Sequence, residues 1–199
     1  MAIFAYYKIS TVDITTISAV DTVSSTTSGQ SINGSPRAIT ICNNDASGDA
    51  CTVDLFINSE TNADLTDTGT NVNEIANYPT DANVTLTVDG TAATADVFVN
   101  EKVYGNSRVL LGVCSARNSD TEIVLQSLFS DGLQNTPLLD NENLFTGTRH
   151  YILHDVVIPA GSTLVLEQPE LNYDSTLYSL KFKLTSVSGS QIANIKVEY

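Results

Sequence analysis

Period-two alternation constrains this chain more than any other feature. In "YSLKFKLTS", Tyr178, Leu180, Phe182 and Leu184 fall on one face of an extended chain, and Ser179, Lys181, Lys183 and Thr185 on the other. The pattern recurs at the C-terminus, where Ile195, Val197 and Tyr199 alternate with Asn194, Lys196 and Glu198, and in "TVDLFI" with Val53, Leu55 and Ile57. Such segments predict half-buried antiparallel strands. Between them lie Ser-, Thr-, Asn-, Asp- and Gly-rich clusters such as "SSTTSGQSINGSPR", "NNDASGDA", "NSETNADLTDTGTN" and "VDGTAAT". These residues favour turns, because Asn, Asp and Gly tolerate positive φ and short polar side chains bond to nearby backbone. The expected fold is all-β, an antiparallel β-sandwich or jelly-roll-like domain. One exception is "IVLQSLFSDGLQ", where a helical turn or two is expected before Gly132.

The middle of the chain reads as a separate unit. Residues 83–130 offer very short, closely spaced strands, including "VFVNEKVY", "RVLLGVCSAR" and "TEIVL", which suit a small SH3-like or OB-like barrel. The expected organisation is therefore a discontinuous sandwich of residues 1–60 and 145–199, an inserted module at 83–130, and connecting loops at 61–82 and 131–144. A length of 199 residues accommodates either one domain or a domain carrying an insertion. The start "MAIFAYYKISTVDITTIS" reads as a first strand, since it lacks the basic region and cleavage site of a signal peptide. No apolar run approaches the ~18 residues of a membrane span, so a soluble, folded protein is expected.

Nine basic residues against 23 acidic ones give a formal net charge of −14. A surface of that sign repels phosphate, which disfavours binding to nucleic acid or to an anionic membrane. Cys42, Cys51 and Cys114 form no CxxC pair. A Cys42–Cys51 bridge across "NNDASGDA" is geometrically open if two antiparallel strands flank that loop, whereas three small buried hydrophobes are the simpler expectation.

Chemistry-bearing signatures are sparse. No GxSxG elbow, phosphate-cradling glycine loop or HExxH occurs, and there is no Trp to form a sugar platform. No catalytic residue is assigned, and neither enzyme activity nor a cofactor is expected. His150 and His154 would be a metal pair on a helix, but on a strand four residues span roughly 13 Å, too far for one ion. Asp155 lies beside them. The loops "NNDASGDA" and "DNEN" are oxygen-rich, with Asp45 and Asp49 the weak candidates for calcium, although neither loop has EF-hand spacing and polar turns usually have this composition. The stretch "IPAG", residues 158–161, is explained as a turn between two strands, with Pro159 fixing φ and Gly161 supplying conformational freedom.

The early "AITICNNDASGDACTVDLFI" paired with the late "HYILHDVVIPAGSTLVLEQPELNYDSTLYSLKFKL" resembles small all-β virion structural proteins of tailed bacteriophages, especially those of marine cyanobacterial phages. The inserted "TADVFVNEKVYGNSRVLLGVCSARNSDTEIVL" is similar to small β-modules that recur in such proteins. The resemblance implies a capsid decoration or cement protein, or a neck or tail accessory protein, located in the virion after assembly in the host cytoplasm. Its partners would be the major capsid protein or other virion subunits, and a homo-oligomer is expected. A host-receptor or glycan-binding module is the alternative. No family site residues transfer. The residues expected to anchor contacts are Phe4, Tyr6 and Tyr7 in the N-terminal arm and Leu138, Leu139, Leu144 and Phe145 in a late loop. For the arm the competing expectation is an ordinary first strand; for the loop it is a satellite core.

Overall fold

The computed structural model describes residues 4–11, 13–17, 19–20, 31–32, 35–73, 83–89, 96–126, 138–185 and 192–199. Among these, every regular element is a strand, and no helix long and apolar enough to cross a membrane is present. The chain divides into two compact units, residues 1–58 with 149–199 and residues 59–148.

The first unit is a β-sandwich. One four-stranded sheet has the order β1 (Phe4–Ile9), β16 (Ala193–Glu198), β5 (Ala38–Asn43), β14 (Thr163–Glu167). The other has the order β13 (Arg149–Ile158), β6 (Cys51–Ser59), β15 (Tyr178–Leu184), β2 (Thr15–Ile17). A short ribbon joins β3 (Ala19–Val20) to β4 (Ser31–Ile32). The registered pairs in these sheets are antiparallel. One apolar core unites the inner faces: Ile39, Ile41, Ile195 and Val197 from the first sheet pack with Val53, Leu55, Leu180 and Phe182 from the second. Burial of these side chains, about 2 kcal/mol each, is the driving force for the alternation read in the sequence.

The loop between β5 and β6 and the turn between β13 and β14 both pass from sheet to sheet. β5 and β6 lie in different sheets, and so do β13 and β14. This placement settles the cysteine question: Cys42 and Cys51 flank a crossover, not a paired hairpin, and both are free thiols, as is Cys114. The turn at residues 159–161 is likewise a corner. Gly161 adopts φ +69°, its N–H donates to Asn43 O at 2.9 Å, and the N–H of Ser162 donates to Pro159 O at 3.0 Å.

The second unit holds a six-stranded sheet in the order β7 (Leu65–Asn71), β12 (Asn143–Gly147), β9 (Lys102–Tyr104), β10 (Leu110–Ser119), β11 (Glu122–Gln126), β8 (Asn83–Thr87). Its outer strands meet again: an antiparallel bridge pairs Val72 with Val88, and Asn73 N–H donates to Thr87 O at 3.0 Å. Val84, Leu86, Val103, Cys114, Ile123, Leu125, Leu138 and Leu144 build its separate core. Residues 65–71, expected to be a connection, form β7. They carry no apolar alternation because the buried positions are Thr68 and Thr70, and Thr68 Oγ1 donates to Leu144 O at 2.8 Å. Residues 143–147 pair with β7 and β9, so the chain returns to the sandwich at Arg149. Residues 123–126 of the expected helical stretch are strand, and residues 127–137 lie outside the described residues.

Candidate functional site

Phe4–Ile9 form a regular first strand, and residues 1–3 of the expected arm lie outside the described residues. Ala5, Tyr7 and Ile9 face the core, which leaves Phe4, Tyr6 and Lys8 on the outer face of the sheet. Register then sets their neighbours. Tyr6 pairs with Lys196, which pairs with Thr40; Lys8 pairs with Asn194, which pairs with Cys42. These side chains line a groove of about 380 Å³ together with Tyr7 and Ile195. Tyr6 is 68% exposed, the highest value among the large exposed apolar side chains of the described residues. Lys196 Nζ stands 4.3 Å from the centre of the Phe4 ring, a cation–π contact that holds the ammonium beside the groove. On a chain of net charge −14, two lysines and an exposed phenol make this a locally basic, aromatic surface.

The late-loop candidates separate. Leu138 and Leu144 are core side chains of the second unit and therefore cannot anchor a contact at the surface. Leu139 is exposed and Phe145 half-buried. The "DNEN" loop is locked by Glu142, whose Oε1 accepts from Asn106 N–H at 2.9 Å and whose Oε2 accepts from Leu139 N–H at 3.1 Å.

The calcium candidates are occupied by their own loop. Asp45 Oδ1 accepts from Ser47 N–H at 3.0 Å, and Oδ2 accepts from Ser47 Oγ at 2.7 Å and Asp49 N–H at 3.1 Å. Asp49 Oδ2 lies 3.0 Å from the same hydroxyl. Asp45 is thus the organiser of a tight turn.

His150 and His154 part company. The ring of His150 meets Tyr178 edge-on, with centroids 5.6 Å apart. His154 joins a polar cluster that regular strand spacing does not foresee. On β13, Leu153 pairs with Leu55 and Val156 with Val53, so both His154 and Asp155 stand opposite the single residue Asp54. This two-against-one count is a β-bulge, and Asp155 carries its positive φ of 51°. Asp54 is buried; its Oδ1 accepts from Asp155 N–H at 2.9 Å and lies 3.1 Å from His154 Nδ1. Lys183 Nζ lies 3.7 Å from Asp54 Oδ2, and Thr185 Oγ1 lies within 3.4 Å of Asp54 Oδ2 and 3.2 Å of Asp155 Oδ1. Asp54 is not among the candidates that the sequence offers, and Lys183 and Thr185 enter the sequence reading only as the polar face of a strand; the available signal is a lone carboxylate inside the apolar run "TVDLFI".

No family model, curated protein or solved structure matches the chain.

Proposed function

We propose that this protein is a non-enzymatic binding subunit that docks through the outer face of its first sheet, around Tyr6. In the setting implied by the sequence resemblance, it is a virion structural protein of a tailed phage, a decoration or cement protein that attaches to assembled capsid subunits. The observation that carries the docking surface is the exposure of Tyr6 beside a groove edged by Lys8 and Lys196. Tyrosine offers a large, stiff contact area with a polar tip, which is why it concentrates binding energy at interfaces. The two ammonium groups favour a partner surface that is acidic or rich in carbonyl oxygens. A protein that binds only the assembled lattice stabilises it by mass action, with no chemistry required.

The test is co-sedimentation of the purified chain and its Tyr6→Ser variant with heads that lack it, across a salt series. Saturable binding at a lattice stoichiometry, weakened about tenfold or more in Tyr6→Ser, is the expected result. Absence of binding to heads removes the cement reading. A second reading, recognition of a host glycan, is favoured by the size of the groove and by the exposed Tyr6 ring that lines it. It predicts binding to host cells that the same variant abolishes.

A further inference from the structure

We propose that the bulge at His154 and Asp155 is a binding site for a divalent transition-metal cation of the zinc class. The argument begins with the buried carboxylate of Asp54. A carboxylate accepts, so the contact at 3.1 Å assigns the proton to His154 Nδ1. In the neutral ring this leaves the lone pair on Nε2. That nitrogen stands 3.6 Å from Asp155 Oδ2. Two ligands bound at about 2.1 Å in a tetrahedral arrangement lie about 3.4 Å apart, so this edge matches one cation with little movement.

Each ligand also has an orienting partner. Asp54 holds the imidazole from its far nitrogen, and Thr185 Oγ1 holds Asp155 through its other oxygen, Oδ1, at 3.2 Å. A ligating histidine that donates its second nitrogen to a carboxylate, beside a ligating carboxylate that is itself hydrogen-bonded, is the usual outer arrangement of a metal site. The ligand atoms of Asp54, His154 and Asp155 all fall within 4.8 Å of one another. Asp54 Oδ1 faces the Nδ1 side of the ring and accepts from the Asp155 N–H, which assigns Asp54 to positioning rather than ligation. Imidazole nitrogen selects zinc, copper or nickel over calcium or magnesium. His154 and Asp155 are 59% and 57% exposed along their side chains, so the remaining coordination positions are open to water or to a ligand from another molecule.

The experiment is calorimetric titration of the full, chelator-washed chain with Zn²⁺, followed by imidazole ¹⁵N spectra of its two histidines. The expected result is saturation at one ion per chain, with the His154 Nε2 resonance moving and that of His150 staying. His154→Gln and Asp155→Asn should abolish binding, and His150→Gln should keep it. Asn tolerates the left-handed conformation at 155, so that variant preserves the bulge. Asp54→Asn should weaken binding 10–100-fold, the usual effect of losing an orienting partner. No saturation at millimolar Zn²⁺, or unchanged binding in His154→Gln, overturns the proposal.

Discussion

The side-chain amide of Asn43 donates to Ile158 O at 2.9 Å, tying the last residue of β5 to the last residue of β13 across 115 positions of sequence. Both strands end where the chain crosses between sheets, so one side chain fixes two corners. Its Nδ2 also donates to Asp49 O at 2.9 Å, and its Oδ1 accepts from Asp45 N–H at 3.0 Å. Asn43 is fully buried, and removing it orphans groups that water cannot reach. Asn43→Ala should cost about 3 kcal/mol in urea unfolding of the sandwich. Asn43→Asp, nearly the same shape, should be no better at neutral pH, because an acceptor then faces two carbonyls. Losses of under about 0.5 kcal/mol in both variants would show that the corners hold without it.

Gly112 makes the corresponding demand in the second unit. A Cβ there would lie 2.5 Å from Gln126 O, a backbone atom of the neighbouring strand β11. The clash can be relieved only by moving the sheet, so Gly112→Ala should cost about 3 kcal/mol. Gly69 offers the contrast: its φ is +69° and nothing lies within 4 Å of its ideal Cβ. Gly69→Ala meets only conformational strain, about 1 kcal/mol. Equal unfolding midpoints for the two variants would refute the steric account.

Alternation made β15 and β16 legible because their inward positions, Leu180, Phe182, Leu184, Ile195 and Val197, are apolar and fully or nearly fully buried. β7 was not legible, since its buried positions are threonines satisfied by hydrogen bonds and carry no hydropathy signal. β6 was half legible. Its inner Val53 and Leu55 were seen, but Asp54 and Phe56 on the opposite face are buried as well, Phe56 packing 5.3 Å from the Tyr151 ring. The bulge cluster escaped for a geometric reason: strand spacing separates residues 154 and 155 to opposite faces, and only the register shift turns both toward Asp54. Tyr6 and Tyr7 were named together, yet the pleat sends one to solvent and the other to the core.

The three thiols should react at different rates. Cys51 and Cys114 are fully buried, whereas Cys42 is half-buried at the groove, its Sγ 3.1 Å from Asn44 Oδ1. Burial raises the Cys51 thiol above its ordinary range, and the nearby Asp45 charge adds to the effect, which suppresses the reactive thiolate. Ellman's reagent should therefore label one cysteine quickly in the folded protein and all three in denaturant. Mass spectrometry should place the fast label on Cys42, and labelling there should impair docking at the Tyr6 face. A fast label on Cys51 would contradict the sandwich core.

Alkaline pH should loosen both units, by the same mechanism in each. In the second unit burial pushes the Tyr104 phenol up to about 12, with the charge of Glu60 adding to the effect. In the first, burial raises Tyr199 and Tyr173, and the buried Tyr199 hydroxyl has no hydrogen-bond partner among the described residues. Unfolded tyrosine ionises near pH 10, so below that value both states hold the proton and stability is unaffected. Above it the unfolded chain loses the proton first, and stability falls by about 1.4 kcal/mol per pH unit for each such group until the folded value is reached. For Tyr104, which is 3% exposed, the loss between pH 10 and 12 is about 3 kcal/mol. Urea unfolding at stepped pH, with tyrosinate absorbance followed in parallel, should show this slope in the native protein and a shallower one in Tyr104→Phe. Tyr199→Phe removes an unsatisfied hydroxyl and should leave the sandwich at least as stable at pH 8, and more stable at pH 11. A Tyr199→Phe variant less stable than wild type at pH 8 would mean that the hydroxyl has a partner after all.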